Sequence, residues 1–169
     1  MMKVFLIGFM GCGKSTMGRR LAKQLGYDFI DLDQEIEKRT DTAIGNYFSA
    51  NGEMAFRDLE RKTLQEFDYP ANCIVATGGG APCYFDNMDW MNANGTTVYI
   101  EMSPLALAGR LEKGKAKRPL LKDLNEAQMI AFIEGKLAER EGYYKRAKLI
   151  VEGINLSADA LSALIIVKD

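Results

Sequence analysis

Histidine is missing from this 169-residue sequence, and cysteine is scarce. Because histidine is the side chain used most often for general acid–base catalysis, any proton transfer here must use a carboxylate or a less usual group. The three cysteines, Cys12, Cys73 and Cys83, lack the spacing of metal ligands, which favours reduced thiols over a zinc site or a disulfide framework. The acidic residues are therefore the first candidates for catalysis.

Positive charge is not in excess, and long apolar runs do not occur. Lys and Arg number 22 against 23 Asp and Glu, so the chain lacks the basic excess of a general nucleic-acid binder. No apolar run reaches the ~18 residues that cross a bilayer, and the N-terminus leads into a predicted strand without a signal-peptide pattern. We therefore expect a single cytoplasmic domain over residues 1–169, with no nucleic-acid or membrane partner. Because no long exposed apolar stripe is predicted, a monomer is favoured.

The strongest positive signal is the segment Gly8-Phe-Met-Gly-Cys-Gly-Lys-Ser-Thr16, which has the spacing of a P-loop between an apolar strand and an amphipathic helix. Its glycines allow successive N–H groups and the helix N-terminus to point at phosphates. Lys14 would add a positive charge for the β- and γ-phosphates, and Ser15 a hydroxyl ligand for Mg²⁺. The alternative is an ordinary glycine-rich turn. We predict a nucleoside triphosphate site that uses Gly11, Cys12, Gly13, Lys14, Ser15 and Thr16.

Short apolar runs alternate with longer helical patterns, which predicts a parallel sheet covered by helices on both faces. The predicted strands are 4–7, 29–32, 73–76, 97–100 and 149–151. The predicted helices are 14–25, 33–40, 45–50, 53–67, 104–111, 125–142 and 157–166. Two segments exceed what the alternation needs: about 33–60, which we interpret as a helical substrate-binding insertion, and about 112–124, a basic segment that predicts a lid loop.

Two carboxylates close the second predicted strand in the sequence Asp31-Leu-Asp33. Residues two apart on a strand share a face, so both are expected beside the P-loop, at the edge where open parallel sheets bind ligands. One would hold a Mg²⁺ water and the other would accept a hydroxyl proton. The alternative is a pair of solvated acids, with Asp33 capping the next helix. Because no acidic residue follows the third predicted strand, Asp31 is favoured for the metal water.

An arginine and a glutamate, Arg57 and Glu60, lie within one turn on a predicted helix. Arg57 would bind a substrate carboxylate with two hydrogen bonds while Glu60 fixes the guanidinium. The competing interpretation is a surface ion pair worth ~0.2 to 0.5 kcal/mol. Phe48 and Phe56 are expected in the core rather than in a ligand wall.

Three further features are ambiguous from the residues alone. The glycines at 78–80 would let a ligand approach bare backbone, but a flexible turn explains them as well. Arg118 in the lid and Arg140 near the end of the last long helix are interpreted as solvated surface. An arginine that closes over a triphosphate would nonetheless belong on a segment like the lid.

Taken together, these segments resemble the shikimate kinases, in order and spacing, over nearly the whole chain. The matching segments are Gly8-Phe-Met-Gly-Cys-Gly-Lys-Ser-Thr16, Asp31-Leu-Asp33, Gly52-Glu-x-x-Phe-Arg-x-x-Glu60, Gly78-Gly-Gly-Ala81, Arg118-Pro-Leu-Leu121, and Arg140 with Tyr144 behind it. The sequence departs from the family at Met10, which is proline in some members, and at 151–155, where the adenine-side contacts are expected.

The resemblance implies a three-layer α/β P-loop kinase fold related to nucleoside monophosphate kinases, with strand order 2-3-1-4-5. It implies ATP-dependent phosphorylation of the 3-hydroxyl of shikimate, a step of chorismate and aromatic amino acid biosynthesis. The implied roles are Asp33 on the ring hydroxyls and as base, Arg57 and Arg140 on the carboxylate, Gly79 and Gly80 as backbone contacts, and Glu60 behind Arg57. On the nucleotide side they are Lys14 and Arg118 on the transferred phosphoryl, Ser15 on Mg²⁺, Asp31 on Mg²⁺ through water, and Arg110 beside the adenine.

Two other functions remain open at this point. A kinase for another small polyol acid such as gluconate, or for a nucleotide, would need no pair of Arg57 and Arg140. A nucleotide-binding module without catalysis would be expected to have lost Lys14, Asp33 or Arg118, and all three are present.

Overall fold

The computed structural model describes residues 1–167 and contains one five-stranded parallel sheet in the order β2-β3-β1-β4-β5. The strands are β1 (Lys3–Ile7), β2 (Asp28–Asp31), β3 (Cys73–Ala76), β4 (Thr96–Glu101) and β5 (Leu149–Glu152). The helices are α1 (Lys14–Leu25), α2 (Leu32–Thr40), α3 (Ile44–Asn51), α4 (Glu53–Glu66), α5 (Asn87–Asn94), α6 (Pro104–Glu112), α7 (Glu126–Tyr144) and α8 (Ala158–Ile166). This confirms the α/β fold and the strand order that the resemblance implied.

β3 is apolar throughout and β1 is apolar after Lys3, because helices cover both faces of the sheet. β1 pairs with β3 on one side, placing Leu6 opposite Ala76, and with β4 on the other, placing Ile7 opposite Tyr99. One core lies between the sheet and α1, α6, α7 and α8, and the other lies mainly under α4 and α5. This burial fixes the carboxyl ends of β1, β2 and β3, where the candidate site lies.

Two predictions about local structure are wrong. The sequence predicts Leu32 in the second strand, but it is the first residue of α2. The helix begins there because the Asp31 carboxylate accepts hydrogen bonds from the N–H groups of Asp33 and Gln34. Asp31 and Asp33 therefore meet as a helix cap and a first-turn residue, not as neighbours on one strand face. Phe48 was expected in the core but is 39% exposed, whereas Phe56 is buried as expected.

Three short elements were not predicted: α5 and two 3₁₀ turns at Ala81–Cys83 and Lys115–Lys117. α5 has no pronounced apolar stripe, and its contacts with α4, β4 and the first 3₁₀ turn bury Met88 and Met91. Among the helices of residues 1–167, none combines the length and apolar character needed to cross a membrane.

Candidate active site

The turn between β1 and α1 has the backbone conformation that the P-loop pattern requires. Gly13 caps α1 with a φ of 96°, a left-handed conformation in which a side chain would be strained. Lys14 is buried, and its ammonium group donates to the carbonyl oxygens of Gly8 at 2.6 Å and Phe9 at 3.0 Å. The side chain is thus held at the mouth of the loop.

Cys12 takes part in this turn through its backbone. Its N–H donates to the Phe9 carbonyl at 3.2 Å, and its carbonyl accepts from Arg110 Nη1 at 3.3 Å. Its thiol is buried. A phosphate contact from Cys12 would therefore have to share or replace the N–H bond to Phe9. Arg110, which the resemblance implied for the adenine, is a residue of α6 whose guanidinium reaches the turn before α1.

Ser15 and Asp31 form a pair of hard oxygen groups beside the loop. The Ser15 hydroxyl donates to Asp31 Oδ2 at 2.9 Å, while Asp31 Oδ1 caps α2. Within residues 1–167, no cluster of three or more His, Cys, Asp or Glu side chains is arranged to hold a metal ion. One hydroxyl and one carboxylate suit Mg²⁺, which usually keeps several waters and takes its other ligands from substrate phosphates.

Asp33 projects from the first turn of α2 toward the glycines at 78–80. Its Oδ1 lies only 3.0 Å from the position that a Cβ on Gly78 would occupy, so the carboxylate approaches bare backbone. Burial raises the pKa of Asp33, the charge of Asp31 raises it further, and Lys14 opposes both. A carboxylate with a raised pKa is a stronger proton acceptor than an exposed one.

Arg57 and Glu60 form a buried pair on α4, which argues against a surface ion pair. They are 8% and 1% exposed, and Arg57 Nη1 lies 2.9 Å from Glu60 Oε1. Burial raises the pKa of Glu60 to about 7, although the Arg57 charge acts in the opposite direction. In the part of the chain that the structure describes, Arg57 Nε is buried without a hydrogen-bond partner. A guanidinium with such a free donor is suited to an incoming carboxylate.

The glycines at 78–80 bring the predicted substrate residues together. A Cβ on Gly79 would lie 3.3 Å from Arg140 Nη1, and a Cβ on Gly80 would lie 2.5 Å from Arg57 Nη1. The close approach of Arg140 and Arg57 to the backbone, rather than the flexibility of a turn, therefore explains the glycines at 79 and 80. Tyr144, which the sequence marked only as a neighbour of Arg140, is buried and donates its hydroxyl hydrogen bond to the Gly79 carbonyl.

A cavity of about 400 Å³ joins the P-loop to the acids and the lid. Its wall consists of Met10, Gly11, Gly13, Lys14, Ser15, Thr16, Asp31, Asp33, Thr77, Gly78, Gly79, Arg110 and Arg118. Arg118 is exposed, and its Nη1 lies 3.8 Å from Met10 Sδ. Arg57, Glu60, Gly80 and Arg140 are not part of this wall but adjoin it at the glycines, since the position of a Cβ on Gly78 lies 3.0 Å from Asp33 Oδ1 and 3.1 Å from Glu60 Oε2. The site thus has a phosphate half and a carboxylate half.

A larger cavity, of about 600 Å³, lies between the ends of β4 and β5 and the helices α6 and α7. Its wall includes the four glutamates Glu101, Glu134, Glu141 and Glu152. Four carboxylates would repel a polyphosphate, so this cavity is not a nucleotide site.

Comparison with known proteins agrees with this geometry. A family model described as shikimate kinase matches residues 10–168. A shikimate kinase of Parabacteroides distasonis is 48% identical over 149 residues, which are 88% of this chain and 86% of the relative. A shikimate kinase of Bacteroides fragilis is 43% identical over 150 residues, covering 89% of this chain and 84% of the relative.

Solved structures give the same result. The crystal structure of shikimate kinase from Bacteroides thetaiotaomicron superposes with a TM-score of 0.91 at 37% identity, covering 98% of both chains. Shikimate kinase from Acinetobacter baumannii in complex with shikimate gives a TM-score of 0.83 at 33% identity, covering 98% of this chain and 91% of that one. Since family model, relatives and fold agree over nearly the full length, this chain belongs to the shikimate kinase family.

Proposed function

We propose that this chain transfers the γ-phosphoryl group of ATP to the 3-hydroxyl of shikimate, giving shikimate 3-phosphate and ADP. The observation that carries the proposal is the continuity of the two half-sites across Gly78–Gly80. Asp33 lies against Gly78 on the phosphate side, and the buried Arg57 lies against Gly80 beyond it. A hydroxylated carboxylic acid placed across the glycines would meet a cation at one end and a proton acceptor at the other. The relative from Acinetobacter baumannii, solved with shikimate, supports this choice of acid.

In this proposal Asp33 binds the ring hydroxyls and accepts the proton of the 3-hydroxyl. The raised pKa of Asp33 increases its basicity. The positive charge of Lys14 attracts the Asp33 carboxylate toward the phosphate half of the site. Arg57 and Arg140 bind the carboxylate, with Glu60 fixing Arg57. Gly79 and Gly80 contribute backbone contacts. Catalysis then depends mainly on positioning the hydroxyl in line with the γ-phosphorus.

On the nucleotide side, we assign the phosphates to the P-loop residues, with Lys14 and Arg118 stabilising charge on the transferred group. Arg110 is assigned to the adenine side. Ser15 would ligate Mg²⁺ and Asp31 would hold one of its waters, since their oxygens lie 2.9 Å apart. The ion, when bound with ATP, neutralises phosphate charge.

We also propose an arrangement of one P-loop kinase domain with a helical substrate-binding insertion at about 33–60 and a lid at about 112–124. The 3₁₀ turn Lys115–Lys117 and Arg118 are on the lid, and Leu121, which is fully buried, anchors it. Closure of the lid would exclude water and limit ATP hydrolysis. A cytoplasmic monomer that acts on small molecules is the form we propose for the enzyme.

The decisive experiment measures ADP release from Mg-ATP with and without shikimate. Gluconate and nucleoside monophosphates serve as parallel acceptors. We expect strong stimulation by shikimate alone. Stimulation by another acceptor would keep a P-loop kinase but reject the assignment of Arg57 and Arg140. Tight ATP binding without any acceptor response would instead favour a nucleotide-binding module.

A further inference from the structure

We propose that Tyr84 is a positioning residue for Arg57, and that Tyr84 and Glu53 together set the affinity of the enzyme for the substrate carboxylate. The inference rests on the proposed function, because it takes Arg57 as the carboxylate ligand. Tyr84 lies four residues after Gly80 and immediately follows the 3₁₀ turn Ala81–Cys83. This turn places the Tyr84 ring against Arg57. Tyr84 belongs to none of the motifs that identified the site, and Glu53, which is part of the segment Gly52–Glu60, has no role assigned to it there.

The contacts of the Arg57 guanidinium show why a further support is needed. Glu60 accepts a hydrogen bond from Nη1 only, at 2.9 Å. Nε lies 3.8 Å from Glu53 Oε1, which is too far for a hydrogen bond. One hydrogen bond fixes a single nitrogen and leaves the plane of the guanidinium free to turn. A bidentate carboxylate contact depends on that plane.

Tyr84 supplies the missing restraint with the face of its ring. The ring centroid lies 4.2 Å from Arg57 Cζ, within the range of a cation–π contact. The tyrosine hydroxyl donates to Glu53 Oε1 at 2.8 Å, which holds the ring in place from the same helix that carries Arg57. On another side, the backbone of Gly80 limits the guanidinium, since a Cβ there would lie 2.8 Å from Cζ. Arg57 is therefore confined by Glu60, Gly80 and Tyr84.

The two parts of Tyr84 have separable effects. The ring face contacts Arg57, whereas the hydroxyl donates to Glu53 and also lies near the Arg57 charge. Tyr84→Leu removes both, and Tyr84→Phe removes only the hydroxyl. Phe85 offers a matched control, because it is the adjacent aromatic residue, is 49% exposed, and stacks on Arg61 instead, at 4.9 Å.

The experiment measures kcat, KM for shikimate, KM for ATP and Tm for Tyr84→Leu, Tyr84→Phe and Phe85→Leu. We expect Tyr84→Leu to raise the KM for shikimate about tenfold, the equivalent of one desolvated cation–π contact. Its kcat and its KM for ATP should stay within about twofold, because Tyr84 does not line the cavity at the P-loop. Tyr84→Phe should recover most of the affinity, and Phe85→Leu should match the parent chain.

A double-mutant cycle with Arg57→Ala shows whether Tyr84 acts through Arg57. In the Arg57→Ala background, Tyr84→Leu should raise the KM for shikimate no further. Where turnover is too slow, shikimate binding is measured by titration calorimetry. An equal effect in both backgrounds, or a Tyr84→Phe variant as weak as Tyr84→Leu, would overturn the inference.

The outcomes also separate this inference from the proposed function. If Arg57→Ala weakens shikimate binding and Tyr84→Leu does not, the inference fails and the proposed function stands. If Arg57→Ala leaves shikimate binding unchanged, the assignment of the carboxylate to Arg57 fails, and the role of Tyr84 fails with it.

Discussion

Gly80 and Arg57 share a space that leaves no room for a methyl group. Gly80 has a φ of −86°, which alanine adopts freely, so only the contact opposes a side chain there. A Cβ would lie 2.5 Å from Arg57 Nη1. We expect Gly80→Ala to displace the guanidinium, raise the KM for shikimate about tenfold and destabilise the fold by about 1 to 3 kcal/mol. Steady-state kinetics and thermal unfolding check both effects.

Gly135→Ala is the matched control for this substitution. Gly135 lies in α7, where a Cβ would meet nothing within 4 Å. Alanine has the higher helix propensity, so this variant should be more stable by up to ~1 kcal/mol, with unchanged kinetics. If both variants behave alike, Arg57 is not confined by Gly80.

Asp33 is the residue on which phosphoryl transfer depends most directly in our proposal. Asp33→Asn removes the proton acceptor while keeping the size of the side chain. We expect kcat to fall by about 10² to 10⁴ and ATP affinity to change little. Turnover assays and ATP titration calorimetry measure the two quantities.

Asp41→Asn provides the comparison, because Asp41 lies at the opposite end of α2. Its backbone has a left-handed conformation with a φ of 51°, which asparagine tolerates. It should leave turnover unchanged. Near-normal turnover in Asp33→Asn would reject the role of Asp33 as the proton acceptor.

At the residue scale, the sequence could identify residue types but not their burial. Arg57 and Glu60 at a spacing of three are compatible with a surface pair, and only the packing of α4 against the glycines makes them a buried pair. Tyr84 was not predicted because it belongs to no motif and no periodic pattern. Its partner Glu53 is 31 residues away in the sequence, and proximity of that kind follows only from the fold.

At the scale of elements, the lid is a mostly exposed segment that Leu121 anchors in the core. Arg118 lies in its exposed part, with Nη1 3.8 Å from the thioether sulfur of Met10. We expect Arg118→Ala to lower kcat by about 10² to 10³, because a charge over the transferred group is lost. The free energy of unfolding should change by no more than about 0.5 kcal/mol. Turnover and denaturant unfolding measure the two effects.

Lys117→Ala tests whether this effect is specific to one cation. Lys117 is also exposed and directly precedes Arg118 in the lid. It should retain the parent kcat. A similar loss of kcat in both variants would indicate a general electrostatic effect of the lid and not a specific arginine.

Elements with strong periodicity were predictable, and those defined by packing were not. α1 has an apolar stripe and glycine at both ends, and its bounds were predicted correctly. α5 was missed because its residues favour no single face, and contacts from β4 and the neighbouring 3₁₀ turn stabilise it. α2 begins one residue earlier than predicted because Asp31 is its cap, and the same carboxylate holds Ser15.

At the scale of the whole molecule, the buried acids of the site make stability depend on pH. Burial raises the pKa of Glu60 from 4.5 to about 7, so between these values the folded chain binds a proton that the unfolded chain has lost. The stabilisation is complete below about pH 4.5 and is lost as the pH rises through about 7. A rise of this size in the pKa corresponds to a contribution on the order of 3 kcal/mol to the free energy of unfolding. The raised pKa of Asp33 contributes with the same sign.

Glu60→Gln should therefore reduce the fall in Tm between about pH 4.5 and pH 7.5 relative to the parent chain. Glu134→Gln is the control, because Glu134 is exposed on α7 and its substitution should leave the profile as it is. Thermal unfolding across this range measures the three profiles. Parallel profiles for the parent chain and Glu60→Gln would contradict the raised pKa.

The hydrogen bonds from Lys14 to Gly8 and Phe9 bear on whether this residue assists ATP binding or the chemical step. The Lys14 ammonium group already donates to two carbonyl oxygens before any phosphate binds. A phosphate that accepts its hydrogen bonds displaces those oxygens, so the ground-state affinity for ATP gains only the difference between two sets of hydrogen bonds. Charge on the phosphate oxygens is redistributed as the bond to ADP breaks, and the carbonyl oxygens of the loop cannot follow it. If the proposed function holds, we expect Lys14 to accelerate the chemical step more than it tightens nucleotide binding, because its stabilisation would develop along the reaction coordinate.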